Sequence, residues 1–125
     1  LEEKIREYRK TKSCSESTLM ALCETAEASI STEEMLRLAC GYSGGIGGTF
    51  DEGTCGALNG ALIADGILLE DQDKIKANAK ILFNSFKDEY GSVCCGVMTN
   101  NGEDKSVCVD CCVFIAQKLA KLLDE

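Results

Sequence analysis

Thr54-Cys55-Gly56-Ala57-Leu58-Asn59-Gly60-Ala61-Leu62-Ile63-Ala64 reads as a helix that opens on a capping threonine and keeps one side free of bulk. Gly56, Gly60 and Ala64 fall four apart on one row, with Ala57 and Ala61 beside them. A row that small lets a second backbone approach closely, either within the core or in a dimer. The sequence on both sides offers further helices. Downstream, Asp71 or Asp73 caps a long helix whose inner stripe is Ile75, Ala79, Leu82, Phe83, Phe86 and Tyr90. Gly91 ends that helix as a left-handed cap.

Upstream, Ser13 with Glu16 and Ser31 with Glu34 have the spacing of capping boxes. The first opens a helix with Leu19, Met20, Cys23 and Ala26 on its stripe. The second opens one carried by Met35, Leu36, Leu38 and Ala39 to about Cys40. Leu1 to Lys12 is charged on most faces and reads as a short exposed helix. The last helix is expected from about Lys105 to Leu123, with Cys108, Cys111, Cys112, Ile115, Leu119 and Leu122 along one stripe. Gly41–Gly53, rich in glycine, and Ser92–Glu103, with a turn at Asn101-Gly102, read as irregular. The expectation is one all-α domain over residues 1–125, a compact bundle of five or six helices with two irregular cysteine-bearing loops.

Composition narrows the chemistry. At 125 residues, 45 % of them hydrophobic, the chain can build a core without staples. Thirteen basic against 21 acidic residues give a net charge of −8, a poor balance for binding nucleic acid or anionic lipid. No uncharged run approaches the ~18 residues of a membrane helix. The absence of histidine removes Ser-His and Cys-His catalysis, histidine metal ligands and histidine-ligated haem. Nine cysteines stand out, yet the odd count, the self-sufficient core and the lack of a visible leader argue against a secreted disulfide scaffold. A cytoplasmic, thiol-rich domain doing metal or redox chemistry is expected instead.

Cys14 and Cys55 each follow a capping residue, so both are expected at the first helical position. There, unsatisfied N–H groups and the macrodipole favour a thiolate and should depress the thiol pKa. Cys94-Cys95 is a loop pair of which one member reads as a ligand and the other as a bystander. Cys108, Cys111 and Cys112 share one helix face, and Cys23 and Cys40 read as core residues. The glycine loop lacks Gly-Lys-Ser/Thr and a preceding strand, which excludes a phosphate loop; backbone lying over a sulfur site and donating to it is the better reading. Asp71-x-Asp73 is a helix cap and not a calcium loop, because Ile75 holds the next ligand position.

Cys55-Gly56-Ala57-Leu58-Asn59-Gly60 resembles the core of the redox-active protein family named for its C_GCAxxG_C_C cysteine pattern. The resemblance extends over nearly the whole chain. The family's first cysteine falls on Cys14, its Gly-Gly segment on Gly44-Gly45 and its core cysteine on Cys55. The third, after a Tyr/Phe-Gly-Ser-type segment, fits Cys95 behind Tyr90-Gly91-Ser92 better than Cys94. The fourth, ahead of an aromatic-aliphatic pair, fits Cys111 before Phe114-Ile115 better than Cys112.

The resemblance implies a redox role. A related domain occurs in split-Soret cytochromes, where haems accompany an iron–sulfur centre; without histidine the haem half of that comparison cannot apply here. With Cys14, Cys55, Cys95 and Cys111 as ligands, the leading expectation is an iron–sulfur cluster, [2Fe–2S] first, in an electron carrier or redox sensor and not an enzyme with its own substrate. A metal-free thiol–disulfide relay is the alternative, with a structural four-cysteine zinc site behind it. The acidic surface suits a redox partner with a basic docking face, and a homodimer stays open.

Overall fold

The computed structural model describes residues 1–49, 53–99 and 106–124. Among the described residues there are seven α-helices and no named strand, so the chain is all-α with more helices than the five or six expected. They are α1 (Glu2–Tyr8), α2 (Cys14–Thr25), α3 (Thr32–Ala39), α4 (Gly56–Leu68), α5 (Gln72–Tyr90), α6 (Cys95–Thr99) and α7 (Ser106–Leu123). A 3-10 turn, Cys40–Tyr42, follows α3.

α2 is the central helix: nine of its 12 residues are buried. Ser13 Oγ accepts from the Glu16 N–H at 3.3 Å, and Glu16 Oε1 accepts from the Ser13 N–H at 3.1 Å, so the capping box closes in both directions. Its broadest packing is against α4, and the small row explains why. A Cβ on Gly60 would lie 2.5 Å from the Ser15 carbonyl oxygen, and one on Gly56 would lie 2.5 Å from Cys14 Sγ. The row is therefore used inside the chain, where it brings the start of α4 against the start of α2. α7 packs on α1, α2, α4, α5 and α6 and closes the bundle. Phe86, Ile5, Leu19, Leu58, Leu82, Ile115 and Leu119 fill the centre. α1 is less exposed than its charge suggests, because Ile5 is fully buried.

Asp71 caps α5, accepting from the backbone of Asp73 and Lys74, and Gly91 at φ 76° terminates it in the left-handed conformation. Leu38 and Phe83, expected on inner stripes, are exposed at 48 % and 41 %. Cys40 is also exposed, a correction to its reading as core; its thiol donates to the Arg37 carbonyl within its own turn. No described helix is long and apolar enough to cross a membrane.

Candidate functional site

The site grows from two close backbone approaches. At the first, Thr54 does not cap α4 as expected; it forms an antiparallel bridge with Cys94. The Cys55 N–H donates to the Val93 carbonyl and the Cys95 N–H to the Gly53 carbonyl, both at 2.7 Å. The pairing moves Cys55 from the first helical position to the N-cap of α4 and ties it to the start of α6. Part of the second segment expected to be irregular is thus helical, since Cys95 begins α6; the turn at Asn101-Gly102 lies outside the described residues. At the second approach, Gly56 seats the N-terminus of α4 on Cys14, which is the first residue of α2 as expected.

Three of the four expected site cysteines then meet through their sulfurs. Side-chain hydrogen bonds join Cys14 to Cys55, Cys55 to Cys111, and Cys111 to the Tyr90 hydroxyl. Each cysteine comes from a different helix end or face: Cys14 from α2, Cys55 from the cap of α4, Cys111 from α7. All three are buried. Cys95, also buried, lines a cavity of about 230 Å³ together with Cys14 and Cys108. Its neighbour Cys94 is half-buried in the bridge. Cys112 points elsewhere, its thiol donating to the Cys14 carbonyl at 3.6 Å across 98 positions of sequence. Cys23 is buried in the core as expected. Among the described residues, no three Cys, Asp or Glu side chains form a ready cage for one metal ion; the sulfur contacts run in succession.

The thiol acidities run opposite to expectation. Cys14 is pushed well above the usual thiol range, first by its hydrogen bond to Cys55 and then by burial. Cys55 is raised first by Cys111, with Cys14 pulling it back. Burial lifts Cys112 to about 12, with the Thr18 hydroxyl and Arg9 opposing. The reason is one of magnitude. A helix N-terminus is worth ~0.3–1 kcal/mol, under one pKa unit, whereas burial and like neighbours shift a group by several units. Two backbone donors work the other way: the Gly44 N–H serves Cys14 and the Ala57 N–H serves Cys55.

Gly44 belongs to the glycine loop, which does lie over a sulfur. Gly44, Gly45, Gly47 and Gly48 all hold positive φ, and the loop closes through Gly47 N–H to Gly41 and Gly48 N–H to Ser43 carbonyls, both 2.8 Å. A Cβ on Gly53 would lie 2.5 Å from the Ile46 nitrogen, so the bridge tucks beneath the loop. Three participants escaped the sequence reading. Cys108 was one of three candidates on a stripe, Tyr90 looked like an ordinary core aromatic, and Arg9 was one cation in a charged helix. Only tertiary packing distinguishes them.

No curated protein and no solved structure matches the chain. The family model described as "Putative redox-active protein (C_GCAxxG_C_C)" matches residues 12–122, which take in Cys14, Cys55, Cys95 and Cys111, and the chain belongs to that family.

Proposed function

We propose that this redox-active protein is a small electron carrier or redox sensor in which Cys14, Cys55, Cys95 and Cys111 hold an iron–sulfur cluster, [2Fe–2S] in the simplest case. The observation that carries the reading is the succession of sulfur contacts from Cys14 through Cys55 to Cys111, with Cys95 on the adjoining wall. Thiols raised by burial and by one another ionise readily only beside a cation, and soft iron or zinc supplies it. Contacts that run in sequence suit a cluster, where each iron takes part of the ligand set, better than a single zinc ion needing all four sulfurs. A bound cluster would supply one-electron chemistry. The chain's own part is to exclude water around the sulfurs and to direct the Gly44 and Ala57 N–H groups at Cys14 and Cys55.

The surrounding charge of −8 supports a basic redox partner and disfavours nucleic acid and anionic membranes. A reducing compartment such as the cytoplasm fits thiols that are to remain ligands. Protein purified without air is expected to absorb broadly between about 320 and 550 nm and to contain iron and acid-labile sulfide in equal amounts. Cys14→Ser, Cys55→Ser, Cys95→Ser and Cys111→Ser should each weaken or shift that absorption, while Cys23→Ser leaves it intact. Equal loss from Cys23→Ser would sink the ligand assignment. The contact between Cys14 and Cys55 also favours a second reading, a metal-free dithiol relay, although the raised pKa values leave little thiolate and would slow it near neutral pH. A colourless protein that gains two titratable thiols per chain on reduction would select the relay.

A further inference from the structure

α5 faces solvent along most of its length: of its 19 residues only Asn78, Leu82 and Phe86 are buried. Lys76, Lys80, Phe83 and Lys87 follow one another four, three and four positions apart, the spacing of a single helix face, and all four are exposed. None of the three lysines forms an ion pair among the described residues, although the chain carries 21 Asp and Glu. The acids of α5 lie off this face: Asp73 precedes it in the first turn, and Asp88 and Glu89 fall on other sides of the helix. α5 holds four lysines against those three acids, a charge of +1, so the rest of the chain holds −9. A basic strip with an aromatic at its middle thus stands on an otherwise acidic molecule. An exposed phenylalanine alone needs no explanation, but among unpaired cations it has the make-up of an interface, an apolar anchor within a charged rim. The face also leads to the candidate site. Tyr90, three positions beyond Lys87, continues it into the bundle, where its ring packs on Phe86 and Phe114 and its hydroxyl is hydrogen-bonded with Cys111.

We propose that this face of α5 docks an acidic partner protein, which sets Asp and Glu side chains against Lys76, Lys80 and Lys87 around an apolar residue on Phe83. It is a second docking surface, apart from the acidic remainder that suits a basic redox partner, and an electron carrier has to meet both a donor and an acceptor. Docking itself needs neither cluster nor relay. Nucleic acid and anionic membrane are disfavoured, because three lysines draw on a long polyanion less than the remaining −9 repels it.

The probe is a synthetic helical peptide with glutamates spaced to face the three lysines and a leucine to face Phe83, titrated into the isotope-labelled full chain. A version with lysine in place of each glutamate runs in parallel. The amide resonances of Lys76, Lys80, Phe83 and Lys87 should shift to saturation with the acidic peptide, and binding should weaken as salt is added. Lys80→Glu and Phe83→Ser should each weaken it by about tenfold. Lys74→Glu makes the same change in net charge at an exposed position off the face and should have little effect. All three positions are exposed, and the wild-type shifts do not depend on any variant that folds. No saturable shift, equal binding of the lysine peptide, or equal loss from Lys74→Glu would each overturn the proposal. Shifts of the same amides on dilution without peptide would overturn it in favour of a second copy of this chain. Tighter binding of a DNA duplex or of phosphatidylserine vesicles at these amides would overturn it in favour of a polyanion. Chain with and without iron should bind the peptide alike, so failure of the docking face and failure of the cluster are read separately.

Discussion

Gly56 and Gly66 lie on one helix and should respond to the same substitution with opposite signs. A methyl group at Gly56 would meet Cys14 Sγ at 2.5 Å and the Tyr42 carbonyl oxygen at 2.7 Å, whereas nothing stands within 4 Å of one at Gly66. Alanine gains up to about 1 kcal/mol of helix propensity at either position. At Gly56, overpacking against backbone should outweigh that gain and leave a net loss of about 1–2 kcal/mol. Urea unfolding of Gly56→Ala and Gly66→Ala, read as midpoint shifts down and up, checks the pair. Asp65 poses a different residue-scale problem. It is fully buried, Oδ1 accepts from Asn78 at 3.1 Å, and Oδ2 has no partner among the described residues. Burial raises its pKa, with the Asn78 hydrogen bond opposing. The raised folded pKa means that stability present in acid is lost as pH rises through it. Asp65→Asn keeps the acceptor for Asn78 and removes the buried charge. It should stabilise the protein near neutral pH on the order of 1 kcal/mol, an advantage that shrinks in acid.

At the scale of elements, the N-terminus of α2 carries both structure and site. Ser13→Ala removes one arm of the capping box and should cost about 1 kcal/mol, seen in urea unfolding and in faster amide exchange at Ser15 and Glu16. This cap was legible because its signal is local: a serine, a glutamate three positions later and an apolar stripe. Gly91 and Asp71 were legible for the same reason. Thr54 misled because it has the local chemistry of a cap, while its actual partner, Cys94, is far off in sequence. That long-range bridge also starts α6, whose few residues have no stripe to announce them. Cys40 looked like core by residue type, yet it lies past the last buried residue of α3, Ala39, and faces solvent. The order of the four expected site cysteines came from motif resemblance. The raised pKa of Cys14 and Cys55 could not be read, since it depends on which thiol each one touches.

For the whole molecule, the raised thiols make folding sensitive to base. Cys23 is lifted by burial to about 11 and Cys112 to about 12, from an ordinary value of 9.0. Above the ordinary value the unfolded chain releases these protons while the folded chain keeps them, so stability falls as pH rises. The urea midpoint of reduced, metal-free protein should hold steady up to about pH 8 and decline steadily beyond pH 9. Metal thiolates at Cys14 and Cys55 would remove only the share of that decline owed to those two raised thiols and leave the share owed to Cys23 and Cys112.

The hydrogen bond from Cys112 to the Cys14 carbonyl spans 98 positions, and Cys111 beside it closes the run of sulfurs begun at Cys14. During synthesis, at roughly 5–20 residues per second, Cys14 and Cys55 leave the ribosome seconds before Cys111 exists. A nascent chain thus presents early cysteines with no partner from α7 to shelter them. Until α7 is made, Cys14 and Cys55 stand without the burial that the folded chain gives them, so solutes reach sulfurs that the finished bundle encloses.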